Sequence, residues 1–255
     1  MERQAVIKVI EAARQQGETP DLSRKDLHQV DLSHLDLSQA DLTWSNLQGA
    51  NLHQSNLSRA DLSWSNLRQA DLSEADLSQT NLSATNASQA NFKRANLSKT
   101  ILSGAILEAA HLDQATLVET DLGGVRLSMA SLHQANLSEA NLTGANLNQA
   151  NLSQANLSNI EAEWTNFEEA DLNRANLQHA YLGRAKLTRA NLHQANLQNT
   201  NLKGAVLREA NLAEANLQDA NLESADLGQA NLVGANLQNA NLQQAILSKA
   251  RFEDS

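Results

Sequence analysis

The chain has 255 residues, a net charge of −10, no cysteine, one proline and 3% aromatic residues. The lack of cysteine excludes disulfides and thiolate metal sites, and the scarcity of aromatic residues requires a core of smaller apolar side chains. Because there is no apolar run of 18 residues and the charged N-terminus makes a poor signal peptide, we expect a cytoplasmic protein without membrane association.

The first predicted element is a short helix near the N-terminus. Its apolar residues recur at helical spacing, and Gly17 follows where such a helix would end. These apolar residues are Val6, Val9, Ile10 and Ala13. We expect the helix to cap the structure that follows it.

After the helix, the chain is an unbroken array of five-residue repeats. From Leu22 to Phe252 it takes 47 steps of five residues, and Leu or Phe occupies 45 of the step centres. The unit is A-[DN]-L-x-x, and a fixed short period of this kind identifies a solenoid. In an extended segment the Ala and Leu point inward and the Asn or Asp between them points outward. A helix is disfavoured because its period is near 3.6.

Outward positions repeat with a period of twenty, which predicts four repeats per coil. Trp44, Trp64 and Trp164 differ by multiples of twenty, and a serine column shows the same spacing. Similar side chains should therefore stack vertically on successive coils.

This repeat closely resembles that of the pentapeptide-repeat proteins, over about nine tenths of the chain. The resemblance implies an all-β fold, a right-handed quadrilateral parallel β-helix of about twelve coils with a short N-terminal capping α-helix. At about 4.8 Å per coil the rod would be roughly 55 Å long. The expected organisation is a capping helix and connection at 1–19, the β-helix at 20–252 and a C-terminal tail at 253–255.

The last coil has no evident lid in the sequence. Its inward residues are Leu237, Leu242, Leu247 and Phe252. Two solutions are open: a homodimer in which a second copy covers this coil, or closure by Phe252 with a bent tail.

Two breaks in the inward pattern share one form. Ala87 replaces a Leu and Phe92 follows at the next centre, and Ala162 and Phe167 repeat this arrangement. Volume compensation inside a tightly packed coil explains both, and a bend in the rod is the alternative. Neither pair indicates function.

No catalytic, cofactor or metal site is predicted. An active site needs a concave surface with convergent groups, and a filled rod with short faces offers neither. The serines lie at corners without a positioned base, and the seven histidines are scattered. We therefore expect a protein that is not an enzyme.

One outward column stands out and is termed the interaction strip. Exposed Trp and Arg are favoured interface anchors, and we expect Arg24 to lie over one tryptophan ring and Arg184 over another. The candidate residues are Arg24, Trp44, Trp64, Gly104, Gly124, Gly144, Trp164 and Arg184. The alternative is that flat and small residues merely suit this corner. Ile101 and Ile106 should add an exposed apolar spot beside Gly104.

Five basic residues should lie on adjoining faces of two consecutive coils. This basic patch comprises Arg184, Lys186, Arg189, Lys203 and Arg208. Direct nucleic-acid binding would need positive charge over a wider surface. We therefore interpret the basic patch as either a solvated patch or a binding site for an acidic partner.

Two functional hypotheses remain. The first is a non-catalytic scaffold for protein–protein interaction, with a partner that the sequence does not identify. The second follows from the resemblance, because some pentapeptide-repeat proteins are DNA mimics that bind DNA gyrase. The net charge of −10 over roughly 55 Å corresponds to about one charge per 5–6 Å. This charge density is lower than that of duplex DNA, which carries about one charge per 1.7 Å. Residues 20–79 are denser, with a net charge of −5. The chain has neither the interrupting loops of the resistance members nor a C-terminal dimer-forming helix.

Overall fold

The computed structural model describes residues 1–253, and this part of the chain contains one helix, α1 (Arg3–Gln16). Gly17 caps the C-terminal end of the helix with a left-handed φ of 70°. The N–H groups of Gly17 and Glu18 donate to the carbonyls of Arg14 and Ala13, at 3.1 and 2.9 Å. Glycine suits this left-handed position because it has no Cβ. Among the described residues, no helix has the length and hydrophobicity needed to cross a bilayer.

Beyond α1, the backbone winds with a register of twenty residues. Each Asn or Asp position forms a parallel bridge with the residue twenty positions on, from Asp21 with Asp41 to Asn231 with Arg251. Four repeats therefore make one coil, as predicted. The β structure consists of single-residue bridges and not of extended strands, since a turn occupies two of every five residues.

The Asn or Asp of each repeat joins the coils in several ways, as Asn81 illustrates. Its N–H donates to the carbonyl of Ala60 and its carbonyl accepts from the N–H of Leu62, at 3.0 and 2.8 Å. Its Oδ1 accepts the N–H of Ser83 at 3.1 Å, which fixes the turn. Its Nδ2 donates to Oδ1 of Asp61, one coil earlier, at 3.1 Å. The side-chain amide thus forms a ladder outside the backbone ladder.

The interior is built from Leu and Ala, as predicted. Nearly all inward Leu and Ala side chains up to Leu232 are fully buried. Phe92 and Phe167 are also fully buried, and Ala87 and Ala162 are 1% and 0% exposed. The large and small residues therefore share one closed interior.

The helix α1 packs on the first coil through its apolar face. Val6 and Ile10 are 0% and 6% exposed, and the half-buried Val30 and Leu35 pack against the same core. These side chains remove the open end of the first coil from water.

Arginines of α1 also bond the carbonyls of the first coil, which have no earlier coil to bond them. Arg3 Nη1 donates to the carbonyl of Asp31 at 2.9 Å, and Arg14 Nη2 to that of Asp36 at 2.8 Å. Arg14 also pairs with the Asp36 carboxylate at 2.8 Å. Burial acts to raise the pKa of Asp36, but hydrogen bonds from Ser38 and Arg14 outweigh it and lower this pKa.

The last coil presents an apolar face to solvent. Leu237 and Leu242 are half-buried, and Leu247 and Phe252 are 36% and 44% exposed. The Phe252 ring therefore does not close the coil by itself, and the alternative of closure by Phe252 with a bent tail stays a prediction. The predicted tail at 253–255 lies outside the described residues except for its first residue.

Candidate interaction surface

The interaction strip occupies the fifth residue of one A-[DN]-L-x-x repeat in every coil. In each turn this residue has a positive φ, for example 58° at Trp44, and Ser45 N–H donates to the Leu42 carbonyl at 3.2 Å. This is the pattern of a type II turn, in which the third residue favours glycine. Most repeats nevertheless place a larger residue there, so the turn permits the glycines of the strip without explaining why they gather in one column.

Trp44 and Trp64 form a parallel stack on successive coils, as predicted. Their ring centroids are 5.1 Å apart with an interplanar angle of 5°. The two side chains are 56% and 57% exposed, although rings of this size are usually well buried. The pair is thus a rigid, apolar surface in contact with solvent.

Trp164 carries the predicted cation on its ring, because the Arg184 guanidinium lies 4.7 Å from the ring centroid. Both residues line a shallow cleft of about 410 Å³ together with Asn201 and Lys203. At the other end of the strip, Arg24 and Trp44 line a common depression. The prediction that Arg24 covers a ring is wrong within residues 1–253, where Arg184 on Trp164 is the cation–π pair.

Between the tryptophans the strip is bare. A Cβ atom placed on Gly104, Gly124 or Gly144 would have no atom within 4 Å. Beside these glycines Ile101 is 46% exposed, whereas Ile106 is half-buried. The predicted apolar spot therefore consists mainly of Ile101.

The basic patch is largely neutralised by neighbouring carboxylates. Lys203 pairs with Glu223 at 3.0 Å and Arg208 with Asp226 at 3.2 Å. Arg189 pairs with Glu169. Exposed pairs of this kind contribute little to stability, but they offset the positive potential that an acidic partner would need.

Sequence reasoning missed a column of carboxylates, here called the aspartate column, formed by Asp21, Asp41 and Asp61. These residues bridge one another on the first three coils. At the other Asn/Asp columns an aspartate is followed one coil later by an asparagine or another uncharged or basic residue, so carboxylates do not stack. Comparing the Asn/Asp positions at a period of twenty would have revealed the column.

The stacked carboxylates have no cation partner within 4 Å among residues 1–253. Asp41 and Asp61 each use Oδ1 to accept a backbone N–H, from Thr43 at 2.9 Å and Ser63 at 2.8 Å. At an Asn position the side-chain amide donates to the Oδ1 one coil earlier, as Asn81 does to Asp61 at 3.1 Å, but Asp41 and Asp61 have no proton to donate to the carboxylate before them. The column is thus a line of stacked negative charges, offset in part by Lys25, whose charge adds to the hydrogen bonds from Ser23 in lowering the pKa of Asp21.

No group of three His, Asp or Glu side chains in the described residues has an arrangement that could hold a metal ion. The described surface offers exposed apolar rings, a cation–π pair and stacked carboxylates.

Comparisons with known proteins identify the repeats throughout the rod. The family model described as pentapeptide repeats matches residues 21–49, 36–73, 45–83, 165–189, 185–223 and 215–254, and the model described as a pentapeptide repeat region matches 90–167. No curated protein sequence matches at a significant level.

Several solved structures are similar to the chain. HetL, a pentapeptide repeat protein involved in heterocyst differentiation regulation from the cyanobacterium Nostoc sp. strain PCC 7120, is 32% identical over 100% of this chain and 98% of its own, with a TM-score of 0.32. Rfr23 from the cyanobacterium Cyanothece 51142 is 34% identical over 48% of this chain and 64% of its own, with a TM-score of 0.17. QnrB1, a plasmid-mediated fluoroquinolone resistance protein, is 17% identical over 85% of this chain and 87% of its own, with a TM-score of 0.39.

Proposed function

Since the chain belongs to the pentapeptide-repeat family, we propose that it is a non-catalytic scaffold that binds another protein through the interaction strip. The observation that carries this proposal is the exposed parallel stack of Trp44 and Trp64. Tryptophan is enriched among the residues that dominate binding energy, so an exposed tryptophan pair suits a binding surface.

The architecture proposed for the scaffold is a right-handed rod of about twelve coils at 20–252, with α1 and its connection at 1–19 closing one end. A tail at 253–255 follows the last coil. We further propose that a second copy covers the exposed apolar face of that coil, because Leu247 and Phe252 lie in water there.

The scaffold is tested by replacing both tryptophans of the stack. We expect Trp44→Ala/Trp64→Ala to lose at least one protein that wild-type chain captures from a lysate of the source cells, because the main apolar anchor is removed. Each lost anchor should weaken binding at least tenfold, since truncation of such residues costs about 2 kcal/mol or more. Met129→Ala is the matched control, because Met129 is 60% exposed in another column. Capture of the same proteins by all three chains would contradict the proposal.

A second candidate is a DNA mimic that binds DNA gyrase, as an inhibitor or as a protector against quinolones. The aspartate column favours it, since a mimic must place stacked negative charges where DNA has phosphates. A supercoiling assay with purified gyrase separates the two candidates. Inhibition or quinolone protection at micromolar concentration would favour the mimic, and the scaffold proposal expects neither.

A further inference from the structure

The chain itself shows how a cation can cover a tryptophan of the interaction strip. One coil after Trp164 stands Arg184, whose guanidinium lies 4.7 Å from the ring centroid. One coil after Trp64 stands Ala84, whose methyl group is too small to cover a ring. Since Trp44 stacks on the opposite face of Trp64, the face toward Ala84 is open. The position that Arg184 fills on Trp164 is therefore vacant on Trp64.

The surface beside this open face is negatively charged. The aspartate column lies on the same three coils as Trp44, Trp64 and Arg24, and its two outer members flank Asp41 in direct bridges. Asn201, which belongs to the column that contains these aspartates and lies two coils after the coil of Trp164, lines one cleft with Trp164 and Arg184. The two columns thus face a common surface. Like charges on adjacent coils repel each other, and a cation placed beside them would relieve that repulsion.

We propose that the open face of Trp64 and the aspartate column together bind an arginine-containing basic segment of a partner protein, an inference that rests on the proposed scaffold function. A guanidinium suits both features, because its plane stacks on aromatic rings and its N–H groups match carboxylate oxygens. The negative charge of residues 20–79 also excludes the phosphates of a nucleic acid from this surface.

The spacing of side chains in an extended peptide is compatible with the spacing of coils along the rod. Alternate side chains of such a segment are about 6.8 Å apart, and coils are about 4.8 Å apart. One arginine on Trp64 therefore places the next arginine beside the aspartates of the preceding coils. The partner would thus be recognised by at least two cations at spaced positions.

The probe for this site is the peptide acetyl-Gly-Arg-Gly-Arg-Gly-Arg-Gly-amide. The chain has three tryptophans, so their indole N–H signals can be followed individually by NMR during titration. We expect the Trp64 signal to shift most and the Trp164 signal to shift least, because Arg184 already covers one face of Trp164 and the stacked aspartates lie beside Trp64. The same peptide with citrulline in place of arginine has a similar shape without charge, and it should bind at least about fivefold more weakly.

An arginine of the chain itself, introduced next to Trp64, should cover the open face of this ring and block peptide binding. Ala84→Arg places a guanidinium one coil after Trp64, as Arg184 stands to Trp164, and we expect about tenfold weaker binding. Ala109→Arg is the matched control, because it adds the same charge at the same repeat position in another column. The φ values of the two alanines are 54° and 52°, so any backbone strain is equal. Ala109→Arg should leave peptide affinity within about twofold of wild type.

The aspartate column is tested separately by removing one charge. Asp41→Asn should weaken peptide binding about threefold or more, while the new amide can donate to Asp21 and keep the ladder intact. Asp71→Asn is its control, since Asp71 accepts from the Asn91 amide at 2.9 Å on another face. Asp71→Asn changes the net charge equally, so equal weakening by both variants would reduce the effect to overall charge and overturn the proposal.

Two further outcomes are decisive. If the Trp164 and Trp64 signals shift equally, or if the citrulline and arginine peptides bind with equal affinity, the proposal that a basic segment binds at this site is wrong. If the peptide fails to bind while protein capture still depends on Trp44 and Trp64, the scaffold stands and the proposed occupant is wrong. If the peptide binds as expected while no captured protein depends on the tryptophans, the arginine site stands and the scaffold function fails.

Discussion

Phe167→Ala is expected to lower the free energy of unfolding by about 3–5 kcal/mol, the usual cost of truncating a buried phenylalanine. Phe167 is fully buried, and its neighbour at the preceding repeat centre is Ala162 in place of the usual Leu. The variant would therefore leave two successive small residues in one coil, with a cavity that the rigid coils cannot close. Urea unfolding followed by circular dichroism measures the loss.

Volume compensation between Ala162 and Phe167 also predicts how substitutions at the two positions combine. Ala162→Leu alone should destabilise by about 1–3 kcal/mol through overpacking. The double variant Ala162→Leu/Phe167→Leu restores the ordinary repeat at both centres, and it should recover most of the stability lost by Ala162→Leu. If the effects of Ala162→Leu and Phe167→Leu simply add, the two residues do not compensate each other and the bend becomes the better explanation.

Ile10→Ala is expected to cost about 2–5 kcal/mol, and the loss should be confined to the N-terminal end of the rod. Ile10 is 6% exposed where α1 meets the first coil. In a repeat protein each unit contacts only its neighbours, so a weakened end opens without unfolding the middle. Hydrogen–deuterium exchange should show faster exchange of the Leu22 and Leu27 amides and unchanged exchange beyond the middle coils.

Ile7→Ala provides the control for this prediction. Ile7 lies on the same helix but is only half-buried, so its truncation should accelerate exchange less. Uniformly faster exchange along the whole rod in Ile10→Ala would contradict the local role assigned to α1.

Most of the fold could be predicted from the sequence because the residues that determine the fold recur at fixed intervals. The five-residue step determines which side chains point inward, and the twenty-residue period determines which ones stack, as Trp44 and Trp64 do. The boundary of α1 at Gly17 followed from the conformational freedom of glycine. Such features depend on residue type and spacing alone.

The remaining features depend on where long side chains go, which spacing does not determine. Arg24 and Arg184 occupy the same column, yet Arg184 covers a ring and Arg24 does not. Arg3 and Arg14 bond first-coil carbonyls, which have no signature in the sequence. Within the basic patch, pairs such as Lys203 with Glu223 offset the positive charge, and the spacing of the repeats does not indicate such pairs.

The surface at Trp64 is tested most directly by photo-crosslinking from a neighbouring serine. Ser83 lies beside it, since the Ser83 carbonyl accepts the Trp64 N–H at 3.1 Å. Ser88 occupies the same repeat position on the next face, and both hydroxyls bond the Asn two residues earlier. With p-benzoylphenylalanine at one position or the other, we predict a crosslinked partner protein from position 83 and none from position 88. Equal crosslinking from both positions, or crosslinking from position 88 alone, would contradict a partner bound at the tryptophan stack.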